Sequence, residues 1–122
     1  MSWSSAELKQ LHENHELVLV LHRDGHPELR VPVWPIVTGG ELYVRSWKGV
    51  GSVWFRRVLA DAEQAVELDG RDIPVRFERV DDADEAAIDD GYNTKYAVTD
   101  PEYIPPMHAP IAIETTMRIS KR

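Results

Sequence analysis

The segment at residues 45–58 combines cations, glycines and tryptophans in a pattern that suits an anionic ligand. No Asp or Glu occurs between residues 42 and 60, although the whole chain has 21 acids among 122 residues. About three acids would be expected in a window of this length. The cations of the segment are Arg45, Lys48, Arg56 and Arg57.

The other residues of this segment suggest how an anion would be held. Gly49 and Gly51 allow a tight turn that brings backbone N–H groups close to a ligand, and Ser52 is a candidate N-cap for the helix that follows. Amides, a positive helix end and nearby cations together favour a phosphate. Trp47 and Trp54 would add flat apolar walls for a ring system. The alternative is an ordinary strand-to-helix turn with solvated cations and core tryptophans.

The elements that must position this segment alternate between helices and strand pairs. The pattern predicts the order α-βββ-α-ββ-α-β, in one domain covering residues 1–122. Strands are expected at residues 16–22, 29–37, 42–46, 64–68, 73–80 and 111–119. Helices are expected at residues 5–14, 53–60 and from 81 towards 96, and a proline-rich loop at 100–110. Six antiparallel strands with helices indicate a mainly β, α+β fold: a small closed or split barrel.

Composition excludes several classes of function. The chain has no cysteine, so disulfides, thiolate zinc sites and cysteine nucleophiles are absent. A net charge of −7 argues against non-specific nucleic-acid binding. No segment approaches the roughly 20 apolar residues of a membrane helix. We therefore expect a cytoplasmic protein that acts without nucleic acid or membrane.

Two further clusters carry weaker signals. Four histidines lie close together in sequence, but their spacing with carboxylates completes no recognised metal site, so no metal is expected. The acidic run at residues 81–90 lacks the spacing of a calcium loop, and we interpret it as a solvated helix start. The four histidines are His12, His15, His22 and His26.

Two segments of the chain resemble a known family. They are GHPELRVPVWPIVTGGELYVRSWKG and VWFRRVLADAEQAVELDGRDIPVRFERV, within residues 25–80. The chain resembles the split-barrel flavin- and deazaflavin-dependent nitroreductase-like proteins, which are related to pyridoxamine-phosphate oxidases. The resemblance implies a six-stranded antiparallel split β-barrel of the FMN-binding-like class. It also implies a cofactor, either deazaflavin coenzyme F-420 or FMN.

The resemblance assigns roles to particular residues. The cofactor phosphate would be held by Ser46, Lys48, Gly49 and Ser52, with Arg45 nearby. The ring would run beside Val31, Pro32, Val33 and Trp34. Tyrosines of the family's substrate pocket lie near the C-terminus, which suggests Tyr92 or Tyr96 as a proton donor, with Tyr103 in the same region. The chain departs from the family in a shorter loop after Lys48 and in lacking a proline before Trp54.

Three functions remain open at this stage. The first is a reductase that passes a hydride from the cofactor to a small quinone-like, nitro or enone acceptor. The second is a binding protein that holds a small ligand or cofactor without turnover. The third is a structural homodimer, with Trp3 and residues 104–110 in its interface.

Overall fold

The computed structural model describes residues 3–80, 84–97 and 99–122. Within these ranges it contains seven β-strands and five α-helices. The strands are β1 Leu17–Leu21, β2 Leu29–Val33, β3 Ile36–Thr38, β4 Glu41–Val44, β5 Glu63–Leu68, β6 Arg71–Arg79 and β7 Met117–Lys121. The helices are α1 Ser5–Glu13, α2 Val53–Ala60, α3 Glu85–Tyr96, α4 Ile104–His108 and α5 Pro110–Ile113. Short 3-10 turns occur at Gly49–Gly51 and Pro101–Tyr103.

All seven strands belong to one antiparallel sheet with the order β2-β1-β5-β6-β7-β4-β3. The sheet curls into a half-barrel, so the predicted α+β split-barrel class is confirmed. Hairpins connect β1 with β2, β3 with β4, and β5 with β6. β2 and β3 lie at opposite edges of the sheet, yet only Trp34 and Pro35 separate them in the chain, so the curled sheet brings these two edges close together.

The sequence predicted six strands, and the structure has seven within the described residues. The segment expected to form one strand at residues 29–37 is two strands, separated by Trp34 and Pro35. Proline has no N–H for a sheet ladder, and its ring restricts the residue before it. Trp34 therefore lies at a break between two strands, beside the opening of the half-barrel.

The C-terminal prediction was wrong in its first half. Residues 111–119 were expected to be one strand, but Pro110–Ile113 is a helix and β7 begins only at Met117. Pro110 occupies the first position of this helix, where proline is well tolerated. The hydroxyls of Thr115 and Thr116 donate to the carbonyls of Ala112 and Ile113, which ends the helix. The alternation of Ile111, Ile113 and Thr115 is typical of a strand, which is why the sequence predicted one there.

The expected loop at residues 100–110 is also more ordered than predicted. It contains the turn Pro101–Tyr103 and helix α4. Prolines at the first turn of each element fit positions where the missing N–H has no helical acceptor. These two short elements place side chains against the open side of the half-barrel.

Two groups of buried residues hold the fold together. The larger fills the half-barrel beneath α1 and α2, and the smaller lies between α3 and the β3–β4 hairpin. The smaller group consists of Ile36, Tyr43, Val80, Ile88, Tyr92, Tyr96 and Met107. Trp3 belongs to the larger group, where its indole N–H donates to the carbonyl of Ile119 at 2.8 Å. It is therefore part of the chain's own core.

Candidate functional site

A cavity of about 600 Å³ lies on the open side of the half-barrel. Its walls come from β2 and the following Trp34, from the end of β4 with the turn that follows, and from the Pro101–Tyr103 turn and α4. The lining residues are Leu29, Val31, Pro32, Val33, Trp34, Arg45, Ser46, Trp47, Lys48, Gly51, Ser52, Val53, Trp54, Tyr103 and Met107. The two segments singled out from the sequence thus face one shared space.

The turn after β4 is held by its own hydrogen bonds. The Gly49 amide donates to the Ser46 carbonyl at 2.9 Å, and the Ser46 hydroxyl donates to the Gly49 carbonyl at 2.9 Å. The Ser46 amide donates to the Thr115 hydroxyl oxygen at 2.8 Å. The polar groups of Ser46 and the Gly49 amide are therefore already engaged within the protein, and both residues act in shaping the turn.

Position 49 favours glycine for two reasons: its backbone conformation and its close approach to α5. Its φ is +73°, in the region that favours glycine, and an added Cβ would lie 3.3 Å from the carbonyl oxygen of Ile111. Gly51 lines the cavity, and a Cβ placed there would meet no atom within 4 Å. Both glycines were predicted to bring the backbone close to a ligand. Gly49 instead brings the backbone close to Ile111 of α5, and Gly51 is the glycine that lines the cavity.

The N-terminus of α2 opens at the cavity. Ser52 caps the helix by accepting a hydrogen bond from the Phe55 amide at 3.2 Å, as predicted. The amides of Val53 and Trp54 are in the first turn, where no intrahelical acceptor exists. Together with the Ser52 hydroxyl hydrogen, these amides are the donors that the helix can offer to a ligand.

Lys48 provides an accessible positive charge at the cavity. Its side chain is exposed, and its ammonium lies 5.4 Å from the centre of the Trp47 ring. Within the described part of the chain no carboxylate pairs with Lys48. Its charge is therefore available to an anionic ligand that occupies the end of the cavity near α2.

Arg45 has a different environment, because its side chain is completely buried and paired with acids. Its guanidinium donates to Glu85, in a short contact, and to Asp89 at 2.7 Å. It also donates to the Met107 carbonyl at 3.0 Å and to the Thr116 hydroxyl oxygen at 3.3 Å. Arg45 lines the cavity, but its donors are used to join β4 to α3 and α4.

Aromatic side chains form one wall of the cavity. The ring of Trp34 stacks on Tyr96, with centroids 4.1 Å apart, and Tyr103 meets Trp34 at nearly a right angle, with centroids 5.9 Å apart. Trp47 also lines the cavity, with its ring centre 6.3 Å from that of Tyr103. Trp47 and Tyr103 remain about half exposed, so a planar ligand could cover apolar surface there.

The two tyrosines predicted as proton donors lie in the core, outside the cavity lining. The Tyr92 hydroxyl donates to the Trp34 carbonyl at 3.3 Å, and the Tyr96 hydroxyl donates to the His15 carbonyl at 2.7 Å. Burial raises the pKa of both phenols above the ordinary value. Each hydroxyl supports the Trp34 region, and proton transfer from either to a ligand in the cavity would require rearrangement.

Sequence reasoning missed three parts of the site. Met107 was placed in a loop, and Leu29 was treated only as a strand residue. Tyr103 had been grouped with the substrate-pocket tyrosines, and it lines the cavity. Glu85 and Asp89 were interpreted as solvated, yet both pair with Arg45. Their spacing of four residues puts them on one face of a helix, which was a signal for a shared contact.

Comparison with known proteins identifies the family. Residues 7–119 match the model of a family described as "Uncharacterized protein conserved in bacteria (DUF2255)". The chain belongs to the DUF2255 family. No curated protein matches this DUF2255 chain.

Three solved structures resemble this DUF2255 protein in fold. An FAD-binding protein from Mesorhizobium loti has a TM-score of 0.60 and 20% identity, covering 100% of this chain and 92% of its own. A conserved hypothetical protein from Mycobacterium tuberculosis has a TM-score of 0.63 and 14% identity, with coverages of 100% and 83%. A protein of unknown function from Agrobacterium tumefaciens has a TM-score of 0.59 and 14% identity, with coverages of 98% and 54%. At these identities the likeness shows the fold alone.

The described part of this DUF2255 protein contains no helix with the length and apolar character needed to cross a membrane.

Proposed function

We propose that the protein binds a flavin or deazaflavin cofactor, FMN or coenzyme F-420, and uses it as a reductase. The observation that carries the proposal is the shared cavity: β2 with Trp34, and the turn from Ser46 to Trp54, line the same space of about 600 Å³. These segments were selected from the sequence for a ring and for a phosphate. A volume of this size is typical of sites for small molecules and cofactors.

The residues present fit such a group. Lys48, the Ser52 hydroxyl, and the amides of Val53 and Trp54 would hold the phosphate. Apolar side chains of β2 and the ring of Trp34 would contact the planar ring system and keep water away from it. When bound and reduced, the cofactor supplies a hydride to a small quinone-like, nitro or enone acceptor.

A structural neighbour adds support of a general kind. The Mesorhizobium loti protein of similar fold is described as FAD-binding. It shares 20% of its sequence with this chain, so it favours a flavin-type ligand without choosing among flavins. The cavity is the main support for cofactor binding, and the FAD-binding neighbour is consistent with it.

Equilibrium binding tests the proposal. Purified protein is titrated with FMN and, separately, with coenzyme F-420, and binding is followed by quenching of the ligand's fluorescence. We expect saturable binding of at least one of them below about 100 µM. The loaded protein is then mixed anaerobically with a reductant and a quinone or nitro compound. Binding of neither cofactor would contradict the proposal, and binding without acceptor consumption would contradict the reductase half of it.

A binding protein without turnover is the second candidate. The observation that favours it is the engagement of Tyr92 and Tyr96, whose hydroxyls donate to main-chain carbonyls. Neither phenol is presented to the cavity as an acid or base. Retention of a bound ligand through purification, with no consumption of reductant in the anaerobic assay, would favour this candidate.

A homodimer also remains a proposal, but without Trp3 in its interface. Trp3 is buried in the protein's own core and so is not available to an interface. Exposed large apolar side chains include Tyr103 and Ile111, which flank residues 104–110, and Val50. Light scattering after size exclusion tests this proposal. A monomer at every concentration up to about 100 µM would contradict it.

A further inference from the structure

Aliphatic side chains of β2 form a continuous surface in the cavity. Leu29, Val31 and Val33, here called the β2 wall, occupy alternate positions of the strand, so their side chains lie on one face of it. All three line the cavity. The strand extends by about 13 Å from Leu29 to Val33. The β2 wall therefore begins before residues 31–34, the segment that the resemblance assigned to the cofactor ring.

The protein's own core covers the β2 wall only in part. Val33 belongs to the larger buried group of the half-barrel, and Leu29 and Val31 pack against that group. Both Leu29 and Val31 nevertheless remain partly exposed, although they line a concave site. A ligand that covers them would remove this apolar surface from water, which favours binding.

The polar groups of the cavity come from other elements. Among the described residues, none of the side chains that line the cavity is Asp, Glu, Asn, Gln or His. Apart from the tryptophans, the lining side chains with hydrogen-bonding groups are Arg45, Ser46, Lys48, Ser52 and Tyr103. Within β2, which is an edge strand, Pro32 also lacks a main-chain N–H. The β2 wall therefore offers no side-chain partner to a hydroxyl or a charge.

We propose that the β2 wall is a subsite for an aliphatic substituent of the acceptor, so that the preferred acceptors carry an alkyl chain. This inference rests on the proposed function for the kind of acceptor, a quinone-like, nitro or enone compound. A hydroxyl placed against the wall would lose its hydrogen bonds to water and find no side-chain partner, which disfavours polar substituents. The wall thus selects the part of the acceptor that does not react.

The test measures binding without turnover. The cofactor-free protein is dialysed to equilibrium against para-benzoquinones that carry a methyl, a propyl or a pentyl group. A quinone with a hydroxybutyl group matches the pentyl compound in length and differs from it in polarity. The chain has no cysteine, so the quinones meet no thiol with which to react. The series is repeated with FMN present, which shows whether the cofactor covers the wall.

We expect the affinity of the wild-type protein to rise by about twofold to fourfold for each added methylene, because each one is removed from water. The rise should be the same with and without FMN. The hydroxybutyl compound should bind little more tightly than the methyl compound, since its hydroxyl has no partner on the wall.

Two matched pairs of variants assign the rise in affinity to the β2 wall. Leu29→Ala and Val31→Thr change the wall. Leu8→Ala and Val37→Thr make the same changes at partly buried positions that pack against the same core but do not line the cavity. The ratio of pentyl to methyl affinity should fall by about threefold in each wall variant and stay constant in each control. Partial unfolding would lower both affinities together and leave their ratio unchanged.

Several outcomes would overturn the inference. Wild-type affinity that does not increase with chain length would do so even if the variants fail to fold. A hydroxybutyl compound that binds as tightly as the pentyl compound, a rise that disappears with FMN, or equal ratios in wall and control variants would do the same. If affinity rises with chain length but neither FMN nor coenzyme F-420 binds, the proposed function fails and the apolar subsite stands. If a flavin binds and chain length has no effect, only this inference fails.

Discussion

Trp34 and Tyr96 stack face to face, with ring centroids 4.1 Å apart and 8° between their planes. This stack joins the break between β2 and β3 to the last turn of α3. Because Trp34 lines the cavity and Tyr96 does not, the buried tyrosine supports the wall from behind. The position of Trp34 therefore depends on how firmly α3 packs against the sheet.

The Tyr96 hydroxyl should contribute to stability and not to ligand binding. Tyr96→Phe keeps the stacked ring but leaves the His15 carbonyl without its 2.7 Å donor. We expect the free energy of unfolding in urea to fall by about 1 kcal/mol. Cofactor affinity should be unchanged. If Tyr96→Phe weakened the free energy of cofactor binding by more than it lowered the free energy of unfolding, the hydroxyl would have a direct role at the ligand.

Gly91 lets α3 approach β3 closely. A Cβ at this position would lie 2.6 Å from the Cγ2 methyl of Ile36, which is buried. Although alanine favours a helix by up to about 1 kcal/mol, overpacking costs about 1–3 kcal/mol. We therefore expect Gly91→Ala to destabilise the protein in thermal melts.

The double variant Gly91→Ala/Ile36→Leu is the matched rescue for this prediction. Leucine is unbranched at Cβ and so lacks the Cγ2 methyl that would lie 2.6 Å from the new Cβ. Partial recovery of the melting temperature would support the contact. If Gly91→Ala alone were as stable as the wild type, α3 would not be held this close to Ile36 of β3.

Lys95 should make stability depend on alkaline pH. Its ammonium donates to the carbonyls of Leu11 and Pro35, and burial lowers its pKa from 10.5 to about 8. Between these values the unfolded chain binds the proton and the folded chain does not. The contribution of Lys95 to stability should therefore rise with pH across this window.

The measurement is urea unfolding of the wild type and of Lys95→Met at pH 7 and pH 10. The stability of the wild type relative to the variant should be greater at pH 10. Lys9→Met, at an exposed position of α1, controls for the general loss of a lysine charge. A difference that stays constant with pH, or that falls, would show that the ammonium is not destabilised by burial.

Much of the fold could be predicted from local patterns. The Ser4 cap of α1, the Ser52 cap of α2 and the paired strands follow from short-range chemistry and periodicity. The C-terminal region could not be predicted in this way. There, alternation of Ile111, Ile113 and Thr115 suggested a strand, while Pro110 and hydroxyl contacts to the main chain produce a helix that ends at Ile113.

The candidate site was predictable only in part, for a related reason. The residue types around Lys48 indicated an anion site because their chemistry is local. The neutralisation of Arg45 depends on Glu85 and Asp89, which are 40 and 44 residues away in the sequence. The burial of Tyr92 and Tyr96 likewise depends on packing between α3 and the sheet, which periodicity alone does not determine.

The most direct test of the account is the affinity for FMN of Lys48→Ala compared with that of Arg56→Ala. Both variants remove one exposed cation from the same segment, but only Lys48 lines the cavity. We predict that Lys48→Ala weakens FMN binding by about tenfold, the cost of losing a charge-assisted contact to a phosphate, and that Arg56→Ala changes it little. Equal affinities in both variants and the wild type would contradict the claim that this cavity holds the cofactor phosphate.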